Sequence, residues 1–176
     1  MLNGQLVFLP DEIENSDPHD EDGLRVVVAY EDLATAKRAL RLFDRTALGL
    51  KAGGHGAMHC AMWKIGGSML PTRMKISADQ AATADLIVIA AHERATMPEV
   101  LQEWISLWLP KKIEQPCGLF ALLDHPAESY AQRGIYRYLK SVACFGKLSF
   151  FTAGREEHID EALQAGAPCD DQGIPQ

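Results

Sequence analysis

Glu31 and Asp32 stand side by side where an apolar run, VVVAY, ends. His92, Glu93 and Arg94 follow a second such run, and Asp124 and His125 follow a third. These residue types have a shared chemistry. Glu31 or Asp32 could hold a divalent cation, His92 or Glu93 could move protons, and Arg94 could orient an anionic substrate. Asp124, His125 and, near a further apolar run, Thr152 could complete such a centre. Asp32 also has a plainer use: a carboxylate at this place caps a following helix by accepting backbone N–H bonds. Strand-end neighbours point to alternate sides, so Glu31 and Asp32 need not face one ligand.

The elements that must position these residues are read from periodicity. Residues 24–30 are a continuous β-branched run, the mark of a strand buried on both faces. Leu33, Ala36, Leu40, Phe43 and Leu48 then recur near helical spacing to about residue 49. Further strands are expected at 58–65, 85–91, 117–124 and 147–154. Helices are expected at 77–84, capped by Ser77, and at 96–109, where Thr96 and Glu99 have capping-box spacing. Two more are expected at 134–146, closed by Gly146 as a left-handed cap, and at 156–166. Repeated βαβ units and right-handed crossovers give an α/β domain: a parallel sheet covered on both faces by helices.

With five strands, the flavodoxin-like order 2-1-3-4-5 is the expected topology, with ligands beyond the carboxyl ends of the strands. The acidic pair after strand 1, together with ADLIVIA at 84–90, resembles the receiver domain of bacterial response regulators. The resemblance implies a receiver-like three-layer fold in which Glu31 and Asp32 hold magnesium. The family's phosphorylated aspartate falls on Ala90 here. Its hydroxyl residue falls within 122–124 and its lysine within 150–152, and this chain has neither there. The resemblance therefore implies a pseudo-receiver, a regulatory or protein-interaction module that does not take a phosphoryl group. The alternative is a small enzyme or ligand-binding protein using the acidic and His residues of the carboxyl edge. A flavodoxin wraps its flavin phosphate in a hydroxyl-rich loop after strand 1; this chain offers YEDLAT, whose carboxylates repel phosphate. No cofactor is expected, a divalent cation at Glu31 and Asp32 being the alternative.

The chain has 176 residues, enough for one domain with a sizeable core. Its net charge of −7 is unevenly placed. Asp11, Glu12, Glu14, Asp17, Asp20, Glu21 and Asp22 occur with no base before residue 24, so the rest of the chain is balanced. A balanced body excludes nucleic acid as a partner, which would require a basic surface. Residues 1–23 read as an acidic linker or partly ordered arm, 24–166 as the domain, and 167–176 as a tail. No run approaches the ~20 apolar residues of a membrane span, and a cytoplasmic location is the default expectation. Cys60, Cys117, Cys144 and Cys169 form no Cys-x-x-Cys motif and read as free thiols, Cys117 and Cys144 in buried segments. His55 and His59 beside Cys60 would share one helical face, but the glycines around them oppose a helix and hence a metal site.

Three surfaces could meet a protein partner or a second copy. Lys37, Arg41 and Arg45 lie at four-residue steps on the first helix, beside Arg38. Trp104 and Trp108 share a face of the third helix within an apolar band wider than one sheet contact needs. Tyr130, Tyr136 and Tyr138 surround the fourth helix.

Overall fold

The uncharged apolar runs LIVIAA and GLFALL become the central strands, because a strand covered on both faces tolerates such composition. The computed structural model describes residues 23–52, 58–66, 69–94, 96–113, 115–124 and 134–153. In order these are β1 (Leu24–Tyr30), α1 (Leu33–Ala52), β2 (Met58–Lys64), α2 (Pro71–Thr83), β3 (Leu86–Ala91), α3 (Glu99–Lys112), β4 (Gly118–Leu123), α4 (Gly134–Gly146) and β5 (Ser149–Ala153). The five strands form one parallel sheet of order β2-β1-β3-β4-β5, the flavodoxin-like arrangement. The acidic segment, the helix expected at 156–166, the tail, His55, His125, Tyr130 and Cys169 lie outside the described residues.

The sheet separates two apolar clusters. The larger joins Ile87, Ile89, Leu119 and Leu123 to α2, α3 and α4. The smaller joins Val26, Val28, Val88, Phe120 and Leu122 to Ala39 and Leu42 of α1. Ala36, Ala39 and Leu42 are the buried line of α1, whereas Leu33 and Leu48 are exposed. The inward stripe is thus one of small residues, which lets the helix lie close to the sheet.

Trp104 and Trp108, considered as interface residues, are both fully buried. Their rings meet edge to face at 5.7 Å, and Trp104 Nε1 donates to Ser77 Oγ at 2.9 Å. The physical reason is lateral crowding. The larger cluster draws in residues of α2, α3 and α4 together, so α3 buries apolar side chains beyond those its sheet contact needs. Cys117 is buried as expected, but Cys144 is exposed.

Helix ends depart most from the sequence reading. Helix α2 begins at Pro71, not near Ser77, because a proline at the first position loses only an N–H that has no helical partner. Ser77 is then inside the helix, and its hydroxyl donates to Met74 O rather than capping a turn. Helix α3 begins at Glu99 with no side-chain cap from Thr96, and runs through Pro110 to Lys112. Lys112 is buried and its Nζ donates to the Ala84 carbonyl.

The stop of α4 is also different from the expected glycine cap. Lys147 takes the left-handed conformation, with φ 54°. Leu148 N donates to Ala143 O at 2.8 Å and Lys147 N to Cys144 O at 3.3 Å, the paired bonds of a Schellman motif. Gly146 serves close packing instead: a Cβ there would come within 2.8 Å of Leu109 Cδ1.

Two expectations follow for stability in chemical denaturation. Lys147→Gly relieves the left-handed strain and raises unfolding free energy by about 1 kcal/mol. Ser77→Ala strips the Trp104 N–H of its buried acceptor and lowers it by about 1–3 kcal/mol, while the exposed Ser106→Ala changes it little.

Candidate functional site

Because all five strands run the same way, their carboxyl ends share one rim. Two residues separate β1 from α1, and they are Glu31 and Asp32. Asp32 caps the helix: its Oδ1 accepts the Thr35 N–H at 2.9 Å. Thr35, fully buried, returns the favour, its Oγ1 accepting the N–H groups of Asp32 at 2.9 Å and Glu31 at 3.1 Å. This is a reciprocal capping box.

The free oxygen of Asp32 faces His92, which follows β3. Asp32 Oδ2 lies 2.7 Å from His92 Nε2, and Asp124 Oδ2, at the end of β4, lies 2.7 Å from His92 Nδ1. Both carboxylates only accept hydrogen bonds. The ring satisfies both only when both nitrogens carry protons, as imidazolium. The hydrogen bond to Asp124, then that to Asp32, holds the His92 pKa above its usual value. The Thr35 N–H, then the His92 ring, holds Asp32 far below the usual carboxylate range. Burial pushes Asp124 up, but the Glu93 N–H and the His92 ring outweigh it and leave the group low.

Glu31 closes the cluster from the other side. Its Oε2 accepts from the backbone N–H of His92 at 2.9 Å and from Arg94 at 2.9 Å. The Glu93 N–H donates to Asp124 Oδ1 at 2.7 Å. Arg38 of α1 reaches the same rim and donates to the Ala91 carbonyl at 3.3 Å. Five of the residues expected at the edge therefore meet: Glu31, Asp32, His92, Arg94 and Asp124, with Glu93 joined through its backbone. Thr152 does not join them; it pairs with Ala121 inside the sheet. Thr35 and Arg38 are the participants not foreseen at the edge, and the Asp-x-x-Thr capping spacing was the available signal for the first.

The chemistry of the donor set bears on what this rim could hold. Protonated on both nitrogens, His92 has no lone pair with which to bind a metal or accept a proton. Among the described residues, no group of three His, Cys, Asp or Glu side chains is arranged to hold a metal ion. His59 and Cys60 are adjacent in β2 and so point to opposite faces, and burial pushes the Cys60 thiol up to about 11. A flavin phosphate fits poorly after β1. The N–H groups of Glu31 and Asp32 are already taken by Thr35, and two carboxylates flank the place. Ala90 is buried beneath the rim and its methyl group faces the α1 side. A recess of about 10 Å³, room for a single water, adjoins it, walled by Tyr30, Glu31, Ile65, Ala90, Pro98 and Leu101. Ligand pockets commonly begin near ~300 Å³.

No protein-family model and no curated protein matches the chain. Solved structures do resemble it. A flavodoxin of Streptococcus pneumonia TIGR4 superposes with a TM-score of 0.50 at 11% identity, covering 81% of this chain and 94% of that one. The two-electron reduced Megasphaera elsdenii flavodoxin gives 0.49 at 14%, covering 80% and 95%. The Giardia intestinalis flavodiiron protein gives 0.48 at 15%, covering 84% of this chain and 35% of that chain. At such identity the likeness is one of fold: this is a flavodoxin-like α/β domain, and no helix among the described residues is long and apolar enough to cross a membrane.

The pH dependence of the cluster has a definite sign. A His raised by folding adds stability that is full below its unfolded value, near about 6.5, and is lost as pH rises through the higher folded value. The lowered Asp32 and Asp124 add stability that is full above about 4 and is lost as pH falls through their folded values. The parent is therefore more stable than His92→Gln by about 1 kcal/mol in the window between, the modest figure suited to a half-exposed cluster. That gap narrows as urea titrations are repeated at rising pH.

Proposed function

We propose that this domain is a non-catalytic, non-phosphorylatable regulatory module, receiver-like in design, that acts through contacts with a protein partner or a second copy of itself in the cytoplasm. The observation that carries the reading is the mutual neutralisation at the carboxyl edge. Asp32, His92 and Asp124 use their hydrogen-bonding atoms on one another and on local backbone. A general base needs a free lone pair aimed at substrate, and His92 as imidazolium offers none. The methyl of Ala90 supports the same conclusion, since it gives phosphoryl transfer no acceptor.

A second reading is a small enzyme or a ligand- or metal-binding protein using the acidic and His residues of the same rim, where Glu31 borders the small recess. The two are separated by one set of titrations. On the first reading, acetyl phosphate with magnesium adds no mass, and neither magnesium nor inorganic phosphate raises the melting temperature. A saturable rise in melting temperature that disappears in Glu31→Gln/Asp32→Asn would instead establish the ligand binder.

A further inference from the structure

We propose that the outward face of α4 is the docking surface for an acidic segment of a partner protein, anchored on Phe145. Helix α4 buries Ile135, Leu139 and Val142 in the larger apolar cluster, and Tyr136 and Tyr138 lean on the same cluster. Its other side carries Arg137, Lys140, Ser141 and Cys144, all exposed and within one helical face. Phe145 stands at their flank, and Lys147 follows the helix end. Phe145, 69% exposed, is the most exposed large apolar side chain among the described residues. No acid occurs from residue 134 to residue 147. The ion pairs of the described residues engage Arg25, His92, Arg94 and Lys111, and none engages Arg137, Lys140 or Lys147.

The occupant is selected by charge. Three bases without a counter-charge, beside an exposed aromatic ring, match a segment that pairs carboxylates with an apolar side chain. Aromatic and Arg side chains are also those on which the energy of protein contacts concentrates. A second copy is a poor match, because a two-fold contact through this face sets bases against bases. An anionic membrane is a poor match as well: clusters that hold to one carry about 4–8 bases, and this patch has three on a chain of net charge −7. As the crossover from β4 to β5 in a parallel sheet, α4 runs back from the carboxyl rim. Phe145 and Lys147 therefore lie at the opposite edge, beside the start of β5. From Arg137 to Phe145 the helix rises roughly 12 Å, room for about two helical turns of a partner. This inference rests on the regulatory-module reading and deepens it by naming the partner's chemistry.

The test uses the full chain and a short fluorescein-labelled helical peptide with Glu along one side and Leu along the other. Fluorescence anisotropy is expected to show saturable binding that weakens as salt shortens the screening length. Binding is expected to weaken about tenfold in Arg137→Glu/Lys140→Glu and again in Phe145→Ala. In the parent, bound peptide is expected to slow alkylation of the exposed Cys144 by iodoacetamide, a local readout that needs no variant. The rim variant Glu31→Gln/Asp32→Asn is expected to bind the peptide as the parent does. No saturable binding, or binding unchanged in both α4 variants, would overturn the docking site and leave the regulatory reading to its own phosphodonor test. Binding lost only in the rim variant would place the peptide at the rim and overturn both. A parent dimer that separates in Phe145→Ala, or capture by phosphatidylserine vesicles without peptide binding, would assign the face to a second copy or a membrane and equally overturn the proposal.

Discussion

The imidazole of His92, held between the carboxylates of Asp32 and Asp124, is the contact on which the carboxyl rim depends. It joins the start of α1 to the ends of β3 and β4. The backbone ladder already pairs β3 with β4 as far as Ala91 and Leu123, and the ring carries that tie past the strand ends to α1. Glu31 reinforces the tie through the His92 N–H, and Arg94 offsets the charge of Glu31. Each bond alone is modest, since the participants are partly exposed and screened. Their value lies in sharing: moving one side chain leaves several charged atoms without a partner, so the cluster shifts together or not at all.

The cluster is possible because the core beneath it is so uniform. Ile87, Ile89 and Ala91 face one cluster and Val88 and Ala90 the other, fixing β3 between two apolar layers. With β3 held between the two layers, His92 leaves the sheet at a set point. The methyl at residue 90 also keeps a fourth carboxylate off the rim, beside Glu31, Asp32 and Asp124. A fourth acid there would raise the cost of gathering like charges, the condition that a cation relieves. Without it, one imidazolium and one guanidinium face three acids, leaving an excess of one negative charge at a partly exposed rim.

Much of this was legible in the residues. Strand positions followed from β-branched runs, and the order of the sheet followed from alternation of strand and helix. The gathering of Glu31, His92 and Asp124 on one rim followed from strands running the same way. What could not be read was orientation. That Asp32 would divide its two oxygens between a helix cap and a ring depends on side-chain geometry that spacing does not encode. Trp104 and Trp108 looked like a surplus apolar band because one helix was weighed against one sheet; apolar residues of two further helices share the same buried cluster. The α2 start was hidden by Pro71, which in a Gly-flanked stretch reads as loop and here serves as the first helical residue. Composition points to Gly146 as the left-handed stop of α4, whereas Lys147 takes that conformation and Gly146 lies where a Cβ would meet Leu109.

The role assigned to the rim, a self-neutralised anchor and not a reacting centre, reduces to the protonation of one ring. Long-range ¹H–¹⁵N correlation of the His92 imidazole near neutral pH reads both nitrogens directly. The expected result is two protonated-type nitrogens that persist above the pH at which an ordinary histidine has lost its charge. A ring with one bare nitrogen at that pH, titrating like a free side chain, would contradict the account and return His92 to the list of groups able to move a proton.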